Sequence, residues 1–307
     1  MAVIVLGHKN PDTDTVTAAI AVADLLTKRG VEAKAITQGA INPETDFVLK
    51  KFGVAAPAVQ TSVEGAKVAL VDTTELTQLP DDLAKAEILY VFDHHKLGDV
   101  TTPNPLEMWV WPVGCTGTVV KAAYDFYGVA VPKDIAGIML CAILSDTVMF
   151  KSPTCTPADK KAVEELAKIA GVTDYMSIGL EMFKVKSAVD GTPIRDLVFR
   201  DYKDFNMSGK KVGIGQLEVV DLSILEPIKA KLLEECKKVK GEDGGRHSVF
   251  LLLTDIMKEG SEMLIVSDDA KVVDKAFSVT VSGDSVWLPK VMSRKKQVVP
   301  NFEKAFA

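Results

Sequence analysis

Several things are scarce in this sequence, and each scarcity removes a class of protein. Cysteine is rare: Cys115, Cys141, Cys155 and Cys236 are the four in 307 residues, with no C-x-x-C pair and irregular spacing. That pattern reads as free thiols in a reducing compartment. Long apolar runs are missing. The longest, Ile135–Leu144, is too short to span a bilayer. The apolar stretch Val3–Leu6 has no basic region before it and runs into charged residues, so no targeting segment is expected and the compartment is expected to be the cytoplasm. Positive charge is not in excess. Lys and Arg total 36 against 42 Asp and Glu, a net charge of −6, which argues against broad binding of nucleic acid or an anionic membrane. A small phosphorylated substrate stays open, because bound metal ions invert the local field. No internal repeat or low-complexity tract occurs.

What remains is an ordinary globular composition, 47% hydrophobic and 25% charged. The length gives a prior of about two domains, and a chain of this size needs no covalent staples. The first half alternates strand and helix signals. Val3–Leu6, Val31–Thr37, Lys67–Val71 and Glu87–Phe92 read as strands. Thr15–Arg29 reads as a helix with Val16, Ile20, Ala23 and Leu26 on one face, ended by Gly30. Ile135–Ser145 is long enough for a helix, and another is framed by Thr156 as cap, Pro157 at its first position and Gly171 at its end. Short apolar strands separated by helices imply an α/β fold with a mostly parallel sheet. A boundary is expected between Lys186 and Arg195, where Val189-Asp190-Gly191-Thr192-Pro193 has turn chemistry. Beyond it, Lys211–Val220, Val249–Thr254 and Met263–Val266 read as strands. Leu222–Val239 reads as a helix with Pro227 near its start, and Lys240–Gly245 as a loop.

The chemistry-bearing residues collect just after apolar segments. Gly7-His8-Lys9-Asn10-Pro11-Asp12-Thr13-Asp14 joins the first strand to the first helix. Ligands of open parallel sheets bind outside the carboxyl ends of the strands. Pro11 forces an extended turn that can aim His8, Asp12 and Asp14 into one crevice. One imidazole and two carboxylates suit manganese, cobalt or zinc; the plainer reading makes Asp12 or Asp14 a helix cap. Asp72 follows Val68–Val71, Asp93-His94-His95 follows Leu89–Phe92, and Asp146 follows Leu144-Ser145. Singly these are turn residues or surface polarity; the repeated placement favours one site. His8, Asp12, Asp14, Asp72, His94 and Asp146 are too many for one tetrahedral zinc and suit two ions sharing a bridge. Two divalent cations also relieve the repulsion among four carboxylates. Near the C-terminus, Ser293-Arg294-Lys295-Lys296-Gln297 is either a solvated basic tail or a phosphate clamp, Arg294 forking onto oxygens and Lys295 acting as a point charge. Lys203 reads as a surface lysine that could join it.

Other features carry less. Gly213-x-Gly215 lacks a third glycine and sits inside a strand, so dinucleotide binding is not expected. Gly114-Cys115-Thr116-Gly117-Thr118 could start a helix and touch phosphate, but lacks the lysine of a P-loop. Trp109 and Trp111 alternate as in a strand and read as core.

Taken together, H-x-x-x-D-x-D in the first loop, the Asp after the third strand signal, Asp-His-His and the later Ser-Asp resemble the DHH phosphoesterase superfamily. Ser-Arg-Lys-Lys-Gln narrows the resemblance to the manganese-dependent, family II inorganic pyrophosphatases, over essentially the whole chain. The resemblance implies a DHH-type catalytic domain over 1–187, with a parallel sheet flanked by helices. It further implies a hinge at 188–195 and a smaller α/β, DHHA2-type substrate-binding lid over 196–307. It implies two Mn2+ per subunit, with Co2+ as a substitute and Mg2+ arriving with the substrate. His8 and Asp12 match ligands of one metal, Asp14, His94 and Asp146 those of the other, and Asp72 the carboxylate between them. His95 matches the histidine near the leaving phosphate and, with Asp14, belongs to the catalytic residues. His95, Lys203, Arg294 and Lys295 match the groups that hold pyrophosphate. The implied reaction is hydrolysis of pyrophosphate to two phosphates by a metal-bridging hydroxide attacking in line, in a site between two domains. A homodimer through the N-terminal domain is implied, with no nucleic-acid or membrane partner and no adenine-nucleotide regulation. Two rivals remain. One is a DHH phosphoesterase of oligonucleotides or a cyclic dinucleotide, whose Gly-Gly-Gly-His is only partly matched by Gly244-Gly245-Arg246-His247. The other is a metal-binding or phosphate-sensing module without turnover.

Overall fold

Val3, Ile4, Val5 and Leu6 are buried on every side. A strand without a polar face must be covered on both faces, which is the condition of an interior strand of a parallel sheet. The computed structural model describes residues 2–187, 189 and 191–307, and builds on that strand. The elements are β1 (Val3–Leu6), α1 (Thr13–Lys28), β2 (Ala33–Thr37), α2 (Pro43–Phe52), β3 (Ala58–Val59), β4 (Lys67–Val71), β5 (Glu87–Asp93), β6 (Glu107–Val110), α3 (Thr116–Tyr127), α4 (Lys133–Asp146), α5 (Pro157–Ala170) and α6 (Tyr175–Lys186). They continue with α7 (Ile194–Phe199), β7 (Tyr202–Met207), β8 (Lys210–Val219), α8 (Lys229–Gly241), β9 (Ser248–Asp255), β10 (Gly260–Ser267), α9 (Lys271–Phe277), β11 (Ser285–Pro289) and α10 (Val299–Phe306). Two units emerge, Met1–Phe150 with Thr154–Met182, and Lys151–Pro153 with Phe183–Ala307.

In the first unit six strands run parallel in the order β3-β2-β1-β4-β5-β6. Chain direction across the sheet reverses between β1 and β4. The crevice beyond their carboxyl ends is the switch point where such sheets bind ligands. The segments that leave this crevice are Gly7–Asp12 after β1 and Asp72 after β4. Helix α4 is apolar all round and buried from Ile135 to Ser145. Such a helix needs neighbours on every side, and it has α1, α2, α3 and α5. Its last residue is Asp146.

The second unit is a five-stranded mixed sheet, β11-β10-β9-β8-β7, in which only the β8–β9 pair is parallel. Strand β9 is buried at all eight positions. Leu251 and Leu253 pack under α8, and Phe250 and Leu252 under α9 and α10. The α/β class with a mostly parallel first sheet and a smaller second unit is thus the observed one.

Three local readings need correction. The first helix begins at Thr13, two residues early, because the Asp12 side chain accepts from Thr15 N and caps it. The stretch 222–239 is not one helix. Two short 3₁₀ turns, Leu222–Ile224 and Glu226–Ile228, precede α8. Pro227 has no N–H to donate and tolerates only the first turn of a helix. Trp109 and Trp111 do lie at strand β6, but β6 is an edge strand, and Trp111 is exposed rather than core. The expected turn at 189–193 falls between α6 and α7; Asp190 in it lies outside the described residues. Among the described residues no helix is long and apolar enough to cross a membrane.

Candidate metal centre

The centre is built around one residue in a rare backbone conformation. Asp72 closes β4 with φ of 61°, in the left-handed region that Asp and Asn tolerate better than other non-glycine residues. Its backbone N–H donates to Phe92 O at 2.9 Å, so the turn stays tied to β5. The carboxylate is almost wholly buried. Thr15 Oγ1 donates to its Oδ2 at 2.5 Å and Thr116 Oγ1 donates to its Oδ1 at 3.1 Å. Two hydroxyls therefore fix which way each oxygen faces. Oδ2 lies 3.3 Å from His8 Nε2, and Oδ1 lies 3.4 Å from His94 Nε2 and 3.5 Å from His95 Nδ1.

The neighbours fall into place on either side. Asp12 divides its two oxygens: Oδ1 caps α1 and Oδ2 sits 3.4 Å from His8 Nε2. The cap and ligand readings of Asp12 are thus compatible. On the other side Asp146 Oδ2 lies 3.8 Å from His94 Nε2. Asp14, Cys115 and Asp146 offer donor atoms within 4.8 Å of one another. His94 Nδ1 is 3.0 Å from Val113 O. A carbonyl only accepts, so that nitrogen carries the proton and Nε2 faces the carboxylates. His95 Nδ1 and its backbone N–H both reach Asp93 Oδ1, at 2.9 and 3.0 Å. Asp93 Oδ2 is buried with no partner among the described residues.

Several of these supports were not visible in the sequence. Gly114–Thr118 does start a helix, and an anion does sit at its N-terminus, but the anion is the side chain of Asp14. Thr116 N donates to Asp14 Oδ2 at 2.7 Å, while Gly117 N and Cys115 Sγ donate to Oδ1 at 3.0 Å. Asp159, fully buried at the start of α5, accepts from Gly114 N and Thr118 Oγ1 and holds that turn in place. Its only sequence signal was the spacing from the Thr156 cap.

The charges explain what the cluster wants. Burial, then the charge of Asp72, pushes Asp14 up to about 7. Burial also opposes a charged His94, yet Asp72 and Asp14 outweigh it and raise this imidazole to about 9. His8 behaves alike: burial is outweighed by Asp12 and Asp72, and the net shift is well upward. Burial would raise Asp72, but His8, His94 and His95 hold it well below the ordinary carboxylate range. Without metal, protons neutralise what cations would otherwise neutralise. The imidazole nitrogens and carboxylate oxygens of His8, Asp12, Asp72, His94 and Asp146, with Asp14 beside them, are a donor set that fits manganese or cobalt.

Past Asp146 the backbone is strained. Val148, Met149 and Phe150 follow with φ of 49°, 51° and 67°. Three successive left-handed residues, one β-branched, cost about 1–3 kcal/mol each. Gly179, whose missing Cβ would stand 3.1 Å from Met149 Cγ, leaves room for this turn.

The cationic candidates lie in the second unit. Lys203 is exposed on β7 and pairs with Ile214 of β8. Arg294 donates to Ile214 O, to Asp201 O and to Asp201 Oδ1, and its backbone N–H donates to the buried Gln216. Arg294 and Lys203 thus meet the same strand position. Lys295 follows in a single π turn, Arg294–Val298, capped by Ser293. Gln297 braces that turn, its Oε1 accepting from Met292 N and Ser293 N. Arg246 is taken up by structure: it forks onto Asp204 at 2.7 and 2.8 Å and donates to Val239 O.

Comparison with known proteins agrees over the whole length. Residues 2–143 match the DHH family, N-terminal domain, and residues 180–305 match the DHHA2 domain. The chain is 55% identical to a probable manganese-dependent inorganic pyrophosphatase of Archaeoglobus fulgidus, covering 99% of this chain and 98% of that one. It is 45% identical to the manganese-dependent inorganic pyrophosphatase of Methanothrix thermoacetophila, with the same coverage. A solved structure from Methanococcus jannaschii, assigned to the family II inorganic pyrophosphatases, superposes with a TM-score of 0.84 at 43% identity over 98% of both chains. An exopolyphosphatase-related protein of Bacteroides fragilis, 13% identical with a TM-score of 0.51 over 99% of this chain and 91% of that one, shares the fold. The chain belongs to the family of manganese-dependent inorganic pyrophosphatases.

Proposed function

We propose that the protein hydrolyses inorganic pyrophosphate to two phosphates, with a water attacking one phosphorus in line. The observation that carries the reading is Asp72, a buried carboxylate whose two oxygens face different histidines, as a group shared by two cations must. His8 and Asp12 would hold one Mn2+, Asp14, His94 and Asp146 the other, and Asp72 both, with Co2+ as a substitute and Mg2+ entering with the substrate. Bound there, such ions supply acidity to water and neutralise charge on the phosphates. The side chains do the rest. Asp14, held by three donors at the start of α3, keeps a fixed orientation. Asp93 fixes the ring of His95, leaving Nε2 for the leaving phosphate. Lys203, Arg294 and Lys295 hold phosphate oxygens and stabilise the charge that develops on them. We assign metal binding to 1–187 and this grip to 196–307, joined by a hinge at 188–195.

The active form proposed is a homodimer through the first domain. Edge strand β6 supports it: Met108, Trp111 and Phe126 are exposed there, beside Trp109 and Tyr127. An open edge flanked by aromatic side chains suits a second copy of the same strand. Free, mostly buried thiols suit the cytoplasm.

Phosphate release from pyrophosphate, measured with Mn2+, with Mg2+ and with a chelator, tests the reading. Short oligonucleotides serve as the control substrate. Release that depends on metal and is absent with oligonucleotides is expected. Cleavage of oligonucleotides with none of pyrophosphate would falsify it, and tight Mn2+ binding without turnover would leave only a binding module.

A further inference from the structure

Glu44 is a buried carboxylate that the chemistry above does not use. It stands in the first turn of α2, after the Asn42 cap and Pro43, and is 3% exposed. A carboxylate placed there needs partners, because burying it unpaired is strongly unfavourable. Two of its partners are side chains adjacent to the metal centre. Thr13 Oγ1 donates to Glu44 Oε2 at 2.9 Å. Ser145 Oγ lies 3.0 Å from both Oε1 and Oε2. Thr13 stands between Asp12 and Asp14, and Ser145 stands directly before Asp146. These segments are more than a hundred positions apart in the chain, and a single carboxylate ties them together.

Other contacts already hold each segment: Asp12 caps α1, three donors hold Asp14, and α4, which ends in Asp146, packs against α1. Asp12 and Asp14 sit at the very start of α1, where helix hydrogen bonds are incomplete. Asp146 is the last residue of α4, followed by the strained left-handed turn. The Glu44 carboxylate adds a direct hydrogen-bonded tie between these two segments. Thr45 Oγ1, 3.1 Å from Thr13 Oγ1, extends the same network along α2.

We propose that Glu44 is a positioning residue for the metal centre: through Thr13 and Ser145 it sets the spacing between the Asp12–Asp14 turn and Asp146. This rests on the reading of that centre as a metal site. Outer partners of metal ligands are commonly worth about tenfold to a hundredfold in affinity. Residues that touch neither ion nor substrate act here only through geometry.

The test is Mn2+ affinity, measured by titration calorimetry on the metal-stripped full chain, for wild type, Glu44→Gln, Thr13→Val and Ser145→Ala. Melting of the metal-free proteins is followed in parallel. Glu44→Gln keeps the volume and removes the charge and one acceptor. The Mn2+ dissociation constant is expected to rise by about tenfold or more in Glu44→Gln, and by less in each hydroxyl variant. Combining Glu44→Gln with Ser145→Ala is expected to cost less than the sum, because both remove the same tie. A Glu44→Gln protein that melts earlier but binds Mn2+ within about twofold of wild type would make Glu44 a core residue only and overturn the proposal, leaving the metal site standing. Should Glu44→Gln not fold, unchanged affinity in both hydroxyl variants overturns it equally. Wild-type protein that binds no Mn2+ removes the site and the proposal together.

Discussion

In the proposed metal centre single side chains would set how tightly cations are held, Asp72 most of all. Asparagine at 72 keeps both the shape and the tolerance of a positive φ, so Asp72→Asn removes the charge and turns one of the two oxygens that accept from Thr15 and Thr116 into a donor. Mn2+ affinity is expected to fall by more than about a hundredfold, beyond the loss of an outer partner. Calorimetry on the stripped protein that found a change under tenfold would contradict the shared-carboxylate reading. The raised pKa values of Asp14, about 7, and His94, about 9, set a pH dependence. Both lie above their unfolded values, so the folded metal-free chain holds protons that the unfolded chain has released. Asp14 contributes stability fully on the acid side of the ordinary carboxylate range and loses it as pH rises through about 7. His94 contributes fully below the ordinary imidazole value and loses its share through about 9. The depressed Asp72 titrates at acid pH, outside this window. Metal-free protein is therefore expected to melt at a lower temperature at pH 9 than at pH 7. Mn2+ affinity is expected to rise over the same interval as the competing protons leave. Scanning fluorimetry and calorimetry at the two pH values check both; a metal-free melting point that rises toward pH 9 would refute the assignment.

Among the elements, the loops after strands carry the site, and their close contacts make them sensitive. Gly98, just past Asp-His-His, has its N–H on Thr74 Oγ1, and a Cβ there would stand 2.1 Å from Thr74 O. A backbone atom cannot swing aside, so Gly98→Ala must displace the loop that carries His94 and His95. Overpacking of this kind costs about 1–3 kcal/mol, and a fall in the melting temperature together with weaker Mn2+ binding is expected; a variant identical to wild type in both would show that the loop has slack. In the second unit the π turn at Arg294 plays the corresponding part, held by Gln216 and Gln297. Arg294→Ala is expected to lower kcat/KM for pyrophosphate by about a hundredfold. Undiminished phosphate release would end the clamp reading. The motif residues of both elements are visible in the sequence because chemistry demands their types. Gln216 and Asp159 are not, because most of their partners, backbone and side chain alike, are distant in the chain and brought near by folding.

At the scale of the whole molecule, the proposed dimer rests on strand β6. Edge strand β6 is anchored on its inner side by Arg29, which forks onto Glu107 and stacks 3.6 Å over the Tyr127 ring. Phe126 is 70% exposed, and among the described residues no strand pairs with the outer edge of β6. Phe126→Asp places a charge in the middle of the proposed contact, and sedimentation is expected to show a dimer for wild type and a monomer for the variant. Wild type sedimenting as a monomer would dispose of the proposed dimer.

Local rules were enough for the class of fold and for the residues with metal-binding chemistry. Apolar runs, caps and glycine stops act over a few residues, and a strand's end is marked in the sequence by the residue that follows it. The two 3₁₀ turns that precede α8, the edge position of β6 and the use of Gly114–Thr118 to hold Asp14 needed the tertiary structure. So did the tie from Glu44 to Thr13 and Ser145. Each of these depends on groups distant in the chain meeting in a buried place, where an unmatched charge or hydrogen bond is costly and the partner is chosen by packing rather than by sequence distance.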